Sequence, residues 1–511
     1  MKINIIKNKF LLGLVLLLGT ISCSDFLDES DPSNLTPDSF YTTEKQAESA
    51  IAAVYADARF IGSGAGIFSS NWQLLMAPTG VTTTQTAQNS DLNNLYSLSY
   101  DENTGHVKNW WRGVYKVIAN ANLVIENVPD IDMNEANKSK ILGEAKFLRA
   151  WAYFYAVRLW GDIPLITTPQ SAASEDFFPV RSPQSEVYAL IVGDLLEAEN
   201  AGLAWTDESG RISQSAVKAL LSKVYLTMAG YPLNQTAHYA DAATKAKEII
   251  DNAGSIDLFD TYAQVHDESL NNKVEHIFSL QYNDLVEGNP MGNMRPNFQP
   301  VTYRGPDGTG STIPTVDFYN SYEAGDLRAV DREGWFYSSY YTNGSGELFD
   351  LGSPFIFKHF NVTANGTFGV PGTAKDNLNV PIFRFAEVLL IYAEAQNEAN
   401  SGPNQAAVDA LKRIRDRAEL TTPALGAFDQ TSFREAVWKE RWHELAFEMK
   451  TWFDMVRLRK VYNTNTDSFD DFVGHVNLNS NQALQEKHLL FPIPGPELIN
   501  NPNLTPQNPG Y

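Results

Sequence analysis

The chain has 511 residues, 43% of them hydrophobic, and its 61 acidic residues against 39 basic ones give a net charge of −22. Such a charge, without a basic stripe to offset it, opposes binding to phosphate backbones and so excludes a nucleic-acid partner. Because Cys23 is the single cysteine, the chain can form no internal disulfide, and a large apolar core has to supply its stability.

The N-terminus has the pattern of an export signal. Several lysines precede an apolar run at 10–19, which is shorter than the roughly 20 residues of a bilayer-spanning helix. Small and β-branched residues, Thr20-Ile21-Ser22, stand directly before Cys23, as a lipoprotein signal peptidase requires. We therefore predict a signal peptide at 1–22 and acylation of Cys23, which anchors the protein to a membrane. The alternative is an ordinary signal peptide with an incidental cysteine.

A helical body follows an acidic, turn-rich segment at 23–40 that is typical of a tether. Helical periodicity begins near Glu44, with Ala47, Ile51, Val54 and Tyr55 on one face. The same periodicity predicts helices at about 105–127, 136–160, 183–202, 213–229, 236–253, 383–400, 404–418, 431–447 and 450–460. Paired helices with short connections predict hairpins that stack like tetratricopeptide units.

Residues 257–380 differ from the helical parts and are rich in Gly, Pro, Asn, Tyr and Phe. Residues 275–280 are predicted to form a strand, and the remainder to form functional loops, because a long non-helical stretch inside a helical protein is rarely a linker. The tail from His488 is rich in Pro and Asn. We expect it to be extended and docked on the body through Leu489, Leu490 and Phe491.

Several segments combine aromatic, charged and Gly-Pro residues in a distinctive way and are spread over nearly the whole chain. They are 148–165 (LRAWAYFYAVRLWGDIPL), 210–213 (GRIS), 381–395 (PIFRFAEVLLIYAEA), 440–448 (ERWHELAFE), 452–457 (WFDMVR) and 491–494 (FPIP). In these segments and their order the chain resembles the SusD/RagB family, the surface lipoproteins of Bacteroidota that partner TonB-dependent transporters.

The resemblance implies a mainly α fold, in which tetratricopeptide-like hairpins form a right-handed superhelical scaffold with long loops and a few short strands. It implies a helical region at 41–256 and a SusD/RagB-like region at 257–511 with a ligand-loop insertion at about 285–380, together in one compact body. It also implies a lipid anchor in the outer membrane, facing the cell surface, and a SusC-like transporter as partner. Family members capture oligo- or polysaccharides, or in some cases peptides, for import and are not enzymes.

The family segments themselves are predicted to be scaffold. Their aromatic and aliphatic residues recur at helical spacing, and their arginines lie among acids and aromatics, where ion pairs and stacking are expected. The core set is Leu148, Trp151, Tyr155 and Leu159, and the arginines are Arg149, Arg158, Arg384 and Arg441. The binding site is therefore expected in the loops.

A glycan site needs flat aromatic rings for the C–H faces of sugars and polar side chains for their hydroxyls. Two segments, 68–100 and 295–341, have that mixture. The predicted glycan-binding residues are Asn71, Trp72, Asp91, Tyr96, Tyr303, Arg304, Trp335 and Tyr340, with Trp72 and Trp335 as the sugar platforms. The alternative is that each aromatic packs its own loop onto the body.

No catalytic machinery is predicted. His443-Glu444 begins like a zinc-protease helix, but Phe447 stands where the second histidine should be. The glycines at 62–66 lack the phosphate-loop pattern, and no GxSxG elbow occurs. The run 307–311 (DGTGS) offers oxygens suited to calcium, but a glycine-rich turn accounts for it, so no metal or cofactor is predicted.

The sequence leaves three functions open. The first is capture of an oligo- or polysaccharide for a SusC-like transporter, which the aromatic loops favour. The second is peptide binding in the same architecture, since tyrosine-rich loops also bind peptides. The third is an adaptor that holds partner proteins and binds no small ligand.

Overall fold

The computed structural model of the chain describes residues 37–63, 69–85, 89–171, 174, 177–294, 310–341, 348–361, 363, 377–478 and 480–511. The chain divides into two compact units, Met1–Thr42 and Thr43–Tyr511. In the first unit the described part contains a one-turn helix, α1, Pro37–Phe40. The predicted signal peptide, Cys23 and the tether up to residue 36 lie outside the described residues.

The second unit is built mainly from helices that the periodicity predicts, and the mainly α fold is confirmed. The helices are α2 Glu44–Ala58, α3 Ser90–Tyr96, α4 Gly105–Asn127, α5 Glu135–Trp160, α6 Gln184–Glu199, α7 Gln214–Ala229, α8 His238–Asp251, α9 Val316–Asn320, α10 Phe385–Ala399, α11 Gln405–Arg417, α12 Gln430–Glu444, α13 Thr451–Leu458 and α14 Gly495–Asn500. No helix among the described residues is both long enough and apolar enough to cross a bilayer.

Local chemistry sets where these helices begin and end. The side chains of Thr43, Asn134 and Ser213 each accept a hydrogen bond from a backbone N–H in the first turn of the helix that follows. Helix α5 ends at Gly161, whose φ of 76° lies in the left-handed region that favours glycine. These caps explain why the predicted and observed bounds differ by only a few residues.

Consecutive helices pack against one another as hairpins. Helix α5 packs on α4 and α6, and α7 packs on α6 and α8. Helix α8 then packs against α10, although more than 130 residues separate them in the sequence, and α10 continues the stack with α11 and α12. The chain therefore leaves the helical stack after α8 and rejoins it at α10, which packs directly against α8.

The strands form small antiparallel pairs and no larger sheet among the described residues. The pairs are β1 Thr82–Thr83 with β5 Ile313–Pro314, β2 Ile163–Pro164 with β3 Arg181–Ser182, β4 His276–Leu280 with β8 Val380–Arg384, β6 Phe336–Tyr341 with β7 Leu348–Ile356, β9 Lys460–Asn463 with β10 Ser468–Asp471, and β11 Val476–Asn477 with β12 Gln482–Ala483. The predicted strand at 275–280 is thus confirmed as β4.

The apolar core lies between the helices. Leu148, Trp151 and Leu159 of α5 are at most 1% exposed, as predicted for the family segments. The predicted pairing of arginines is also confirmed: Arg149 binds Asp194 at 2.7 Å. The helix segments that carry the family resemblance are therefore scaffold.

Charged side chains form a second component of the core. Among the described residues, nine cations and nine carboxylates are joined into one connected set by contacts of 3.9 Å or less. We call this set the ion-pair network; its cations are Lys223, Arg328, Lys358, Arg384, Arg415, Arg417, Arg441, Lys450 and Arg457, and its carboxylates are Glu275, Glu323, Asp326, Glu387, Glu394, Glu440, Glu444, Glu448 and Asp454. Equal numbers of the two signs compensate these buried charges locally.

Arg384 has a central position in the network. Its side chain has no exposed surface and contacts Glu275, Glu444 and Glu448. Burial alone would raise the pKa of Glu275, but the guanidinium groups of Arg417 and Arg384 lower it to about 2. Arg417 and Arg384 therefore hold Glu275 in the charged form.

The C-terminal tail is docked on the far end of α5. Phe491 N–H donates to Leu159 O at 2.7 Å, and Trp160 Nε1 donates to Pro492 O at 3.1 Å. Asn508 Nδ2 donates to Trp160 O at 3.0 Å. Docking through Leu489 and Phe491 is as predicted, but the expectation of a wholly extended tail is wrong, since residues 495–500 form helix α14.

Candidate functional site

The two loop segments predicted to hold the site meet in the structure. Strand β1 pairs with β5, so that Thr82 is opposite Pro314. Gln85 N–H donates to Gly310 O at 2.9 Å, and the Tyr96 hydroxyl donates to Ser311 O at 3.0 Å. We call residues 82–85 and 310–314 the loop junction. It brings together chain segments more than 220 residues apart.

Neither predicted sugar platform is accessible in this arrangement. Trp72 and Trp335 have no exposed surface. Trp335 Nε1 donates to His443 O at 3.0 Å, and the Lys358 ammonium lies 3.7 Å from its ring centroid. A ring enclosed on both faces cannot stack on a sugar, so the prediction that these two tryptophans are platforms is wrong. Both anchor their loops to the body, which is the alternative that the sequence left open.

The other predicted residues divide into three groups. Asn71 and Tyr96 are at most 9% exposed and bond the body, Asn71 Nδ2 to Phe60 O and the Tyr96 hydroxyl to Ser311 O. Both side chains therefore hold the loops in place, and their contact with a ligand stays a prediction. Asp91 is partly exposed in the first turn of α3 and stays a prediction. Tyr303, Arg304 and the side chain of Tyr340 lie outside the described residues.

A polar cleft of about 280 Å³ lies beside the loop junction. One wall is formed by residues 79–81, which directly precede β1, and by residues 315–318, which directly follow β5. The other wall is formed by the β9–β10 hairpin and β11. The residues that carry its polar surface are Asp317, Asn463, Thr464, Asn465, Asp470 and His475. We call this feature the polar cleft.

Hydrogen bonds hold the polar cleft's side chains in fixed positions. Asp470 Oδ2 accepts from Asn463 Nδ2 at 2.8 Å and lies 2.9 Å from His475 Nδ1. The Tyr462 hydroxyl donates to Asp467 Oδ1 at 2.7 Å, and burial together with that carboxylate raises the pKa of Tyr462. The cleft therefore presents positioned donors and acceptors without an exposed aromatic ring among its described residues.

The base of the polar cleft contains an unsatisfied acceptor. Asn477 is 2% exposed and its Nδ2 donates to Pro78 O at 3.0 Å, whereas its Oδ1 has no hydrogen-bond partner among the described residues. Gly80, with φ of 77°, lies directly opposite, and a Cβ added there would come within 2.9 Å of that oxygen. Only glycine fits this position without displacing Asn477.

The β9–β10 hairpin is not among the elements predicted from the sequence. Its signal is the run Asn463-Thr464-Asn465-Thr466-Asp467, a turn composition between two short stretches of strand-forming residues. Periodicity cannot reveal that the turn meets the segments around Gly80 and Asp317, because those contacts cross most of the chain. Among the described residues, no group of three or more His, Cys, Asp or Glu side chains is arranged to hold a metal ion.

Comparison with known proteins places the chain in a family. The SusD family model matches residues 331–511, and a model described as "Starch-binding associating with outer membrane" matches residues 25–226. A SusD superfamily protein of Parabacteroides distasonis has a crystal structure similar at a TM-score of 0.85 and 34% identity, covering 94% of this chain and 100% of that one. The chain belongs to the SusD family.

Two further relatives match over nearly the whole length of both chains. SusD-like protein P2 of Formosa agariphila is 29% identical over 531 residues, which cover 98% of each chain. The solved structure of a laminarin-binding SusD-like protein matches with a TM-score of 0.69 at 23% identity, over 92% of this chain and 100% of that one. At that identity the second match describes the fold alone.

Proposed function

We propose that this protein is a surface lipoprotein that captures an oligo- or polysaccharide at the loop junction and delivers it to a SusC-like TonB-dependent transporter. The observation that carries the proposal is the meeting of two distant loop segments beside a polar cleft on a SusD scaffold. Cys23 carries the lipid anchor, and the chain acts by binding, without catalysis.

Relatives of the same fold support a glycan as the ligand. They include the laminarin-binding SusD-like protein and the surface glycan-binding proteins A of Bacteroides uniformis and Bacteroides thetaiotaomicron. Outer-membrane association is supported by the family model that matches the N-terminal part of the chain.

The chemistry of the polar cleft is suited to sugar hydroxyls. Each hydroxyl both donates and accepts, and the amides of Asn463 and Asn465 with the carboxylates of Asp317 and Asp470 offer both roles. Asp91, Tyr303, Arg304 and Tyr340, predicted from the segments 68–100 and 295–341, are part of this proposal. In this proposal the tyrosines of the loops supply the ring faces that the cleft lacks.

The test is electrophoresis of the full chain in native gels that contain single polysaccharides from plants, fungi and host tissue, laminarin included. We expect one polysaccharide to retard the protein. The double variants Asn463→Ala with Asn465→Ala, and Tyr303→Ala with Arg304→Ala, should each weaken that binding by about tenfold or more, because side chains central to a site carry most of its affinity.

The matched control is Asn252→Ala, which removes an exposed amide just after α8, away from the loop junction in sequence and fold. It should bind as the wild type does. Retardation that survives in both double variants would contradict the site. Absence of retardation by every polysaccharide, together with binding of peptides, would replace glycan capture by peptide capture.

A further inference from the structure

A second cleft, of about 200 Å³, lies far from the loop junction in the sequence, between the ends of α5, α6, α7 and α13 and the C-terminal tail. Its walls are mostly apolar, and three arginines, Arg158, Arg457 and Arg459, line it. The lining that matters here is Arg158, Tyr188, Tyr231, Phe453, Arg459 and Leu489. We call it the arginine cleft.

Arg158 is held between two aromatic rings. Its guanidinium carbon lies 3.7 Å from the ring centroids of both Phe154 and Phe453, and Nε donates to Phe154 O at 2.7 Å. Its two terminal amino groups make no hydrogen bond and no ion pair with any described residue. Stacking fixes the plane of the guanidinium, so these amino groups are positioned donors without an acceptor.

Arg459 is the second such cation. It directly follows α13 with φ of 55°, and its guanidinium carbon lies 5.3 Å from the ring centroid of Tyr231. Its Nη1 is buried and has no hydrogen-bond partner within the described parts of the chain. Tyr231 is 47% exposed, so its ring forms an open apolar wall next to this charge.

These two arginines differ from most of the buried arginines among the described residues, which contact a carboxylate. Arg149, Arg384 and Arg441 are each in contact with at least one carboxylate, in a chain with 61 acidic residues. Arg158 and Arg459 have no carboxylate within 4.0 Å among the described residues, and burial lowers the pKa of both, that of Arg158 to about 10. The carboxylates of Glu387 and Asp454 act on Arg158, and that of Glu486 on Arg459, only through space and do not offset the burial. A desolvated cation without a contacting counter-ion is unfavourable, so the pair is suited to an anion from outside.

The remaining charges of the arginine cleft do not satisfy this pair. Arg457 is already paired with Asp454 and Glu394. Lys487 lies 5.2 Å from the ring of Tyr511, and Glu486, the one acid in the lining, is exposed at the rim without an ion pair to Arg459 within the described residues.

We propose that the arginine cleft is a second ligand site, which binds a carboxylate carried on an apolar body, such as an N-acylated hydrophobic amino acid. The carboxylate accepts hydrogen bonds from Arg158 and Arg459, and the apolar body packs against Tyr188, Tyr231 and Leu489. The proposal does not depend on glycan binding at the loop junction.

The test is titration calorimetry of the full chain with N-acetyl-L-phenylalanine and with its neutral amide, N-acetyl-L-phenylalaninamide. We expect saturable binding of the acid and at least about tenfold weaker binding of the amide, since a charge-assisted hydrogen bond contributes about twice as much as a neutral one. Arg459→Gln and Arg158→Gln should each weaken binding of the acid by about tenfold.

Arg413→Gln is the matched control, because it also removes one positive charge but lies on α11, where Arg413 pairs with exposed Asp257. It should leave binding unchanged. If Arg158→Gln disturbs folding, Arg459→Gln and the difference between acid and amide binding in the wild type still test whether the cleft binds a carboxylate. Equal binding of the acid and the amide, or no binding of the acid, would overturn the proposal. Tighter binding of glucuronate than of N-acetyl-L-phenylalanine would also overturn it, because the ligand would then not need an apolar body.

Discussion

The ion-pair network and the polar cleft are both rich in charged and amide groups, but they use them differently. In the network most charges are buried against an opposite charge, as for Arg384 and its three glutamates. In the polar cleft, Asn463 and His475 each bond Asp470, and all three side chains remain partly exposed to solvent. Polar groups that are saturated by neighbours stabilise the fold, and those that are only partly satisfied are available to a ligand.

This difference explains why the segments shared with the family carry information on the fold and not on the ligand. Half of the ion-pair network comes from residues 381–395, 440–448 and 452–457, the segments in which the chain resembles its family. No residue of the loop junction comes from them. The segments that identify the fold are therefore the segments that hold it together, and they carry no direct information on the ligand.

The largest expected effect comes from breaking the network at its centre. Arg384→Met should lower the free energy of unfolding by about 3–5 kcal/mol, because buried glutamates lose a counter-charge. Arg413→Met, which removes an exposed pair with Asp257, should cost about 1 kcal/mol or less. Urea unfolding measures both. A cost for Arg384→Met no larger than for Arg413→Met would show that the network does not stabilise the fold.

A second prediction concerns pH. The pKa of buried His276 and His359 is lowered by burial to about 4, against about 6.5 in an unfolded chain, and that of Glu275 is lowered to about 2. In each case the unfolded state binds the proton first as the pH falls, so stability declines below about pH 6.5 through the histidines and further below about pH 4.5 through the carboxylates.

The midpoint of urea unfolding, measured from pH 8 to pH 3, tests whether stability declines as the pH falls. Each unit of pKa difference contributes about 1.4 kcal/mol, and Glu275→Gln should flatten the decline below about pH 4.5. A midpoint that is constant or that rises between pH 6.5 and pH 4 would contradict the prediction.

The smallest expected effect lies in the polar cleft. Gly80→Ala should lower the free energy of unfolding by about 1–2 kcal/mol, because the left-handed φ and the nearby Asn477 oxygen both disfavour a Cβ. Gly193→Ala is the matched control: it lies inside α6 with nothing within 4 Å of an added Cβ, and should raise stability by about 0.5–1 kcal/mol. Thermal melts compare the two, and equal shifts of the same sign would contradict this interpretation of Gly80.

The sequence predicted the longer helices closely because an apolar stripe marks the face that packs on a neighbour, as Ala47, Ile51 and Val54 do in α2, whereas the short helices α3, α9 and α14 were not predicted. Trp72 and Trp335 carry no comparable signal. In a loop the same indole serves equally as a ligand platform or as an anchor, and only the contacts of Trp335 with His443 and Lys358 decide between them. The polar cleft was missed because it is assembled from three distant segments, none of which is unusual by itself.

The docked tail has a consequence for the order of events during synthesis. Residues 491, 492 and 508 complete the hydrogen bonding at the end of α5, whose own residues were added more than 300 positions earlier. These contacts cannot form until residues 491–508 have left the ribosome, so the end of α5 lacks these partners while the residues between them are being synthesised. A nascent chain with this topology therefore completes the packing of an early helix only after a segment made more than 300 residues later has emerged.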